Sequence, residues 1–419
     1  MNNRVRAWLD QWGPMLPLLV AEATIWLGFG ALLPILPLYF TSHGADLPTL
    51  GVIVAAWPAA RLVGEPIFGW VADRVSRRAM MIVGLVLAAV FAVLPLFAAT
   101  PFAFIILRAL AGLASAIYDP AARGYLVDAN PPAKRGEAFG LYGAAQMGGF
   151  MLGPAIGGFA AAISGEPTVV FWVAGISLVA SAILVAARVR PAPHVDGDHD
   201  SDDAAVSPAR PVRLLNRMLV AGVILNLGAY FASGSYEVVW ALYLTSLGGS
   251  TAVIGLTFFS FAFPVLVLSA FFGRFIDRSG GFMAMVVGLT VAGVCGATYV
   301  LVPQVWFVVA IGFIEGTAFA LASPALYLLV ARSSPVGRSS TAQGVFGSAG
   351  TLGTIIASLS AGVLAQVDLR YPFFATTIAI LGTMVIGLAV GGRRLYDAMQ
   401  PGASAVPADA SERVEVLTG

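Results

Sequence analysis

Charge is scarce in this sequence. Asp, Glu, Lys and Arg make up 11% of its 419 residues, against about 25% in ordinary soluble domains. A soluble globular chain is excluded, and a formal net charge of +1 leaves no case for nucleic-acid binding. Cysteine occurs once, at Cys295 inside an apolar run, so no internal disulfide can form. Cys295 reads as a small apolar packing residue. A phosphate loop of the form G-x-x-x-x-G-K-[ST] is missing, which removes the simplest ATP-driven reading. No nucleophile–base set and no metal cluster stands out, so neither an enzyme nor a cofactor is expected.

What fills the chain is apolar. Hydrophobic residues make up 58% of it, and the mean hydropathy is +0.87. A membrane-spanning helix needs about 20 mostly apolar residues. Twelve such segments can be placed, at about 14–40, 49–71, 79–99, 102–126, 137–163, 168–188, 217–244, 251–275, 282–301, 304–330, 341–365 and 371–391. Their apolar runs are continuous, which favours helices over an alternating barrel. The N-terminal stretch 1–26 is interrupted by Asp10 and Glu22 and is followed by no small-residue cleavage site, so it reads as part of a retained span and not a signal peptide.

Basic residues orient the spans. Of the 23 Lys and Arg, Arg370 alone falls on one side and Arg61 and Arg108 lie within spans; all the others share the opposite side. That side reads as the cytoplasm, holding both termini. The expected location is a bacterial inner membrane. Between spans six and seven lies "VRPAPHVDGDHDSDDAAVSPARPVR", rich in Pro and Asp and without apolar period. Its histidines and aspartates read as a solvated flexible linker in preference to a metal site. Residues 1–188 and 217–392 are then two six-helix bundles, joined by the linker 189–216 and followed by a flexible tail over 393–419.

The two halves repeat at a constant offset of 204 residues. Gly69, Asp73 and Arg74 match Gly273, Asp277 and Arg278. Gly112 and Pro120 match Gly316 and Pro324, and Gly140, Gly149 and Gly158 match Gly344, Gly353 and Gly362. An ungapped offset across many helices implies parallel bundles related by an axis along the membrane normal. That is a transporter architecture, with its substrate site between the halves near mid-membrane.

Several motifs carry a family resemblance. "GWVADRVSRR" (69–78) resembles the loop signature G-x-x-x-D-R-x-G-R-R/K of the major facilitator superfamily, with Ser76 in place of the second glycine. "GRFIDRSGG" (273–281) is a weaker echo. Arg108 and Gly112 resemble the fourth-helix signature. Gly149, Gly153, Pro154, Gly157 and Gly158 meet the fifth-helix signature G-x-x-x-G-P-x-x-G-G, which the family associates with twelve-helix drug–proton antiporters. The expected fold class is therefore an all-α membrane protein with twelve transmembrane helices in two pseudo-symmetric six-helix bundles. Glycines four apart make a smooth face for a neighbouring backbone, and Pro154 bends the span. By resemblance, Gly149, Gly153, Pro154 and Gly157 form a conformational hinge against span eight, which carries Pro264. Also by resemblance, Asp73, Arg74, Arg77 and Asp128 form a cytoplasmic gate that makes and breaks.

Seven ionisable residues fall within spans: Glu22, Arg61, Glu65, Arg108, Asp119, Glu237 and Glu315. Each central Arg, Lys or Asp costs about 2.5–3.5 kcal/mol on insertion scales, so such residues face the interior, pair, or line a cavity. Glu22 is the leading proton-coupling candidate, because apolar surroundings favour the neutral form of a carboxyl. Glu315 is the second, central and with no basic residue within one turn. Arg61 and Glu65 share a helix face, so Arg61 is open to simple pairing or to coupling. Arg108 is expected to reach Glu22 or the neighbours of Arg61, with a structural or a coupling role. Asp119 reads as a helix-end partner of Arg123, and Glu237 as a solvated entrance residue. Trp26, Trp57, Tyr118, Tyr142, Tyr230 and Tyr236 fall where a cavity for an apolar or cationic molecule forms.

The function expected is proton-coupled antiport of lipophilic or amphipathic small molecules by alternating access. The partners are a small-molecule substrate, protons and the lipid bilayer, and the chain is expected to act as a monomer. Export of a specific metabolite (a sugar, amino acid or lipid-like molecule) is the alternative. A membrane sensor without transport is a third reading.

Overall fold

The computed structural model describes residues 12–131, 134–190, 216–334 and 339–401. The core of the expected linker and most of the expected tail lie outside the described residues, as do Arg4, Arg6, Arg210, Arg213, Arg338 and Arg413.

Among the described residues, twelve helices are long and apolar enough to cross a membrane. We number them α1 (Leu16–Leu32), α2 (Leu47–Ala72), α3 (Arg77–Val93), α4 (Pro101–Ala129), α5 (Arg135–Ser164) and α6 (Val169–Arg188) in the first half. The second half holds α7 (Arg217–Ser246), α8 (Thr251–Ser279), α9 (Phe282–Leu301), α10 (Val305–Ser333), α11 (Ser339–Val367) and α12 (Tyr371–Ala398). The first crossing is broken. α1 stops at Leu32, and a short helix, Leu36–Ser42, resumes the path; Pro34 and Pro37 at the break cannot donate the backbone hydrogen bonds a continuous helix needs. Asp46 caps α2 by accepting the Thr49 N–H at 2.9 Å. Hydrogen bonding from Thr49 holds this exposed carboxyl below the usual carboxylate range.

An even number of crossings brings both described chain ends to one face, the near face; the opposite one is the far face. α12 continues to Ala398, past the expected boundary at 392, through a kink at Gly392 where φ is 57°. Leu395 and Met399 are fully buried, which is why this stretch docks instead of fraying. Arg332 seals it by donating to the carbonyls of Ala398 and Gln400 at 2.6 and 2.8 Å.

Within each half the packing follows glycine. A Cβ on Gly149, Gly153 or Gly157 would strike the carbonyl of Ala23, Leu27 or Ala31, so three turns of α5 lie directly on three turns of α1. The second half repeats the contact, with Gly353 of α11 on the Leu227 carbonyl of α7. The partner of Gly149, Gly153 and Gly157 is thus α1 of the same bundle and not span eight, whereas Pro154 meets span eight as expected.

Span eight meets the next face of α5. A Cβ on Gly158 would lie 2.6 Å from the Thr251 carbonyl and 3.2 Å from Gly255, and one on Gly255 would lie 2.5 Å from the Pro154 carbonyl. The mirror contact sets Gly362 of α11 against the Leu47 carbonyl and Gly51 of α2. Residue for residue, the two seals are related by the 204-residue offset. Both sit at the far ends of their helices. At the near ends the related glycines Gly140, Gly143, Gly344 and Gly347 are exposed, and a Cβ on any of them would meet nothing within 4 Å. The two halves are therefore sealed to each other at the far face and parted along α5 and α11 at the near face.

A side chain at position 158 has nowhere to go. Gly158→Leu is expected to lower stability by about 1–3 kcal/mol, the usual cost of overpacking, measured by chemical denaturation in detergent. Gly148→Ala, with nothing within 4 Å of its new Cβ, is the control and is expected to cause no loss, gaining up to about 1 kcal/mol from the better helix former.

Candidate functional site

Glu22 lies at the centre of the first half, with 0% exposure. α1 brings Trp26 one turn above it, α4 brings Tyr118, and α5 brings Tyr142 and Gln146. The Tyr118 hydroxyl donates to Oε2 at 2.6 Å. Oε1 accepts from the Gln146 amide at 2.6 Å and from the Trp26 indole at 2.9 Å. The buried Tyr142 hydroxyl lies beside the same carboxylate. An indole N–H can only donate, whereas a hydroxyl can donate or accept. Oε2 is consequently the oxygen able to take a proton, with the Tyr118 hydroxyl turning from donor to acceptor.

A charge network runs toward the near face beside this carboxylate. Arg61 of α2 pairs with Asp119 of α4 and with Glu65, each at 2.5 Å, and its guanidinium sits over the Trp57 ring at 4.7 Å. Arg123 approaches Glu65 at 3.8 Å. Asp119 was expected to pair with Arg123; it pairs with Arg61 across two helices, and Arg123 takes Glu65. Trp26, Phe29, Trp57 and Phe150 stack around the mouth of this region, with ring centroids 5.1–6.0 Å apart.

Glu315 is held differently. α10 places it in an aromatic box with Tyr236 and Tyr299, where both its oxygens accept from hydroxyls: Tyr299 at 2.5 Å and Tyr236 at 3.3 Å. Trp240 and Phe373 close the box, at 4.8 and 6.1 Å from the Tyr299 ring. Tyr230, the remaining aromatic candidate, instead packs at Gly350 of α11, beside the Asn226 amide that donates to the Phe346 carbonyl at 2.8 Å.

Arg108 departs furthest from expectation. Its hydrogen bond goes to neither Glu22 nor a neighbour of Arg61. Its Nη2 donates to Glu237 of α7 at 2.8 Å, and both side chains are largely buried. Glu237, expected to be a solvated entrance residue, is therefore half of an ion pair between the two halves. At the near face, Arg77 pairs with Asp128 at 2.8 Å and approaches Asp73 at 3.7 Å. Arg74 stacks on Trp70 at 3.8 Å. All four expected gate residues thus lie in the first half and contact one another or Trp70 there.

The sequence reading missed Gln146 and Tyr299. Gln146 shares the α5 face of Tyr142, Gly149 and Gly153, so a polar residue on the glycine face was the available signal. Tyr299 gave no signal beyond a hydroxyl in an apolar span.

The sequence matches the Major Facilitator Superfamily over residues 18–236 and 222–412. The chain belongs to that superfamily. Among relatives, it is 24% identical over 382 residues to the quinolone resistance protein NorA of Staphylococcus aureus (strain COL), covering 86% of this chain and 92% of that protein. It is also 24% identical over 351 residues to the MFS-type transporter MJ1560 of Methanocaldococcus jannaschii, covering 83% and 90%. In fold it is similar to a mutant of the peptide transporter POT, with TM-score 0.75 at 15% identity over 93% of this chain and 96% of that one. It is similar too to a D-xylose–proton symporter, with TM-score 0.73 at 16% identity over 94% and 99%. A bacterial homologue of Spinster, solved in an inward-facing and occupied conformation, gives TM-score 0.74 at 14% identity over 94% and 96%. This superfamily member is a multi-pass membrane protein with the fold of a transporter.

Removing one charge from the Arg61 network should be costly. Arg61→Ala leaves Asp119 without its cation and is expected to cost about 3–5 kcal/mol, the range for breaking a buried pair, read from denaturation in detergent. Arg61→Met with Asp119→Leu removes both charges and should recover most of that loss. A double variant no more stable than the single one would contradict the pairing.

Proposed function

We propose that this protein exports lipophilic or amphipathic small molecules in exchange for protons, by alternating access, as a monomer in a bacterial inner membrane. The near face is the cytoplasmic one, where the basic residues gather, so the cleft between the halves faces the cytoplasm in this conformation. The observation that carries the reading is Glu22. It is a fully buried carboxyl with one oxygen tied to N–H donors and the other facing a hydroxyl that can reverse its hydrogen bond. Such a group gains and loses a proton with only a small rearrangement. Glu315, with two reversible hydroxyl partners, is a second carrier in the other half. Arg61, paired with Asp119 and Glu65, is the basic member of the coupling set in this half. The first-half residues Asp73, Arg74, Arg77 and Asp128 form the cytoplasmic gate.

Trp26 and Trp57 offer aromatic faces to an apolar or cationic molecule, and the face of Trp57 is now taken by Arg61. A cation arriving there competes with the guanidinium. The similarity to a protein named for quinolone resistance supports drug-like cargo. The driving force suffices: a proton moving down about 100 mV releases about 2.3 kcal/mol, which sustains a roughly 50-fold gradient of cargo.

The test is uptake of a fluorescent lipophilic cation into inside-out vesicles under an imposed proton gradient. Wild type is expected to accumulate the dye. Glu22→Gln should abolish accumulation, and Glu315→Gln should reduce it by at least tenfold. Full activity in both variants would remove the proton sites, and uptake of a defined metabolite alone would replace drug export with metabolite export.

A further inference from the structure

The pairing of Arg108 with Glu237 joins the halves, whereas the pairs made by Arg61, Arg77 and Arg123 stay within the first half. Arg108 lies about 10 Å and Glu237 about 13 Å from the far ends of their helices, at a rise of about 1.5 Å per residue. The contact therefore sits just inside the far-face seal, on the wall that must part if the far face opens.

Each charge is fixed to its own half by close packing. One turn beyond Arg108, Gly112 lets α4 press onto the Trp57 carbonyl of α2. Three residues before Glu237, Gly234 lets α7 press onto Thr354 of α11. Three residues after it, the Trp240 indole donates to Thr257 of α8 at 2.8 Å. Neither backbone can follow the other half when the halves separate. Side-chain reach alone must then span the gap, and a 2.8 Å contact does not survive it.

The guanidinium also has little else to hold. Arg108 is 7% exposed, and its buried Nε–H has no hydrogen-bond partner among the described residues. Breaking the contact would leave a buried cation and a buried carboxylate each without its counter-charge, which is strongly unfavourable until water or another charge arrives. The repeat offers no substitute, since the position matching Arg108 in the second half is Gly312 and the position matching Glu237 in the first is Leu33.

We infer that Arg108 and Glu237 form a charged latch that holds the far face shut and sets how often it opens. The inference rests on the alternating-access reading and adds to it a positioning role for both residues. The glycine seals give the closed far face its shape, and the latch adds a bias that disappears when either charge is removed.

The experiment measures the distance between the halves at the far face. In full-length protein with Cys295→Ala, spin labels are attached through Ala99→Cys and Gln304→Cys, two exposed far-face positions in opposite halves. Distances are read by double electron–electron resonance in lipid nanodiscs. Wild type should give mainly the short distance. Glu237→Gln and Arg108→Gln should each raise the ratio of long to short by at least tenfold. The exchange Arg108→Glu with Glu237→Arg should bring the ratio back toward wild type. If the exchanged protein does not accumulate, Arg108→Lys should stay near wild type while Arg108→Met behaves as Arg108→Gln.

Unchanged distances in either single variant would overturn the latch. So would an exchange no closer to wild type than the single variants, or Lys and Met giving equal ratios. The readout needs no cargo, so wild-type vesicles that export nothing would sink the transport reading while a latch response in nanodiscs still stood.

Discussion

Two glycine crossings at the far face carry the architecture. Gly158 on Gly255 and Gly362 on Gly51 let helix backbones of opposite halves touch where any side chain would separate them. A membrane gives helices no hydrophobic drive to associate with each other, so close van der Waals contact between small residues is the principal cohesion available. The same offset places Gly143 and Gly347 at the near ends, where they have no neighbour to pack on. One set of small residues is engaged and its counterpart is free. On the alternating-access reading, two rigid halves exchange one set of contacts for the other without unfolding.

The duplicated scaffold holds chemistry that is not duplicated. Asn226 stands where the repeat would place Glu22 and spends its amide on the Phe346 carbonyl, as a fixed structural bond. Ala111 stands opposite Glu315, and Gly312 opposite Arg108. The far-face crossings kept glycine at all four positions, Gly51, Gly158, Gly255 and Gly362, whereas Gly153 and Gly157 are replaced by Ala357 and Ala361 in the second half. The ionisable positions within the spans are not repeated, because each buried charge needs a partner set of its own. Glu22 has two nitrogen donors and a hydroxyl, and Glu315 has hydroxyls alone, so the two carboxyls stand in different surroundings.

The fold was largely legible. Twelve apolar runs, the one-sided basic residues and the constant offset together imply two six-helix bundles before any coordinate is known. The break after Leu32 is announced by Pro34 and Pro37. The aromatic and acidic residues that gather around Glu22 were mostly found as well, because a charge in an apolar run has few places to go. Partners across helices were not legible. The spacing of Gly149, Gly153 and Gly157 says that some backbone comes close, but spacing on one helix carries no record of which neighbour it meets. The same limit hid the partner of Arg108. Local periodicity says the side chain faces inward, while the identity of Glu237 depends on how two halves, joined through a long linker, lie against each other.

If the halves rock as rigid bodies, closing one face must open the other. The direct measurement is thiol labelling at Gly143→Cys, in the near-face gap, in protein carrying Cys295→Ala with and without the far-face wedge Gly158→Leu. Rapid labelling that slows at least tenfold once the wedge forces the far face apart is the predicted result. Equal labelling rates in the two proteins would mean that the faces move independently, and would contradict the account.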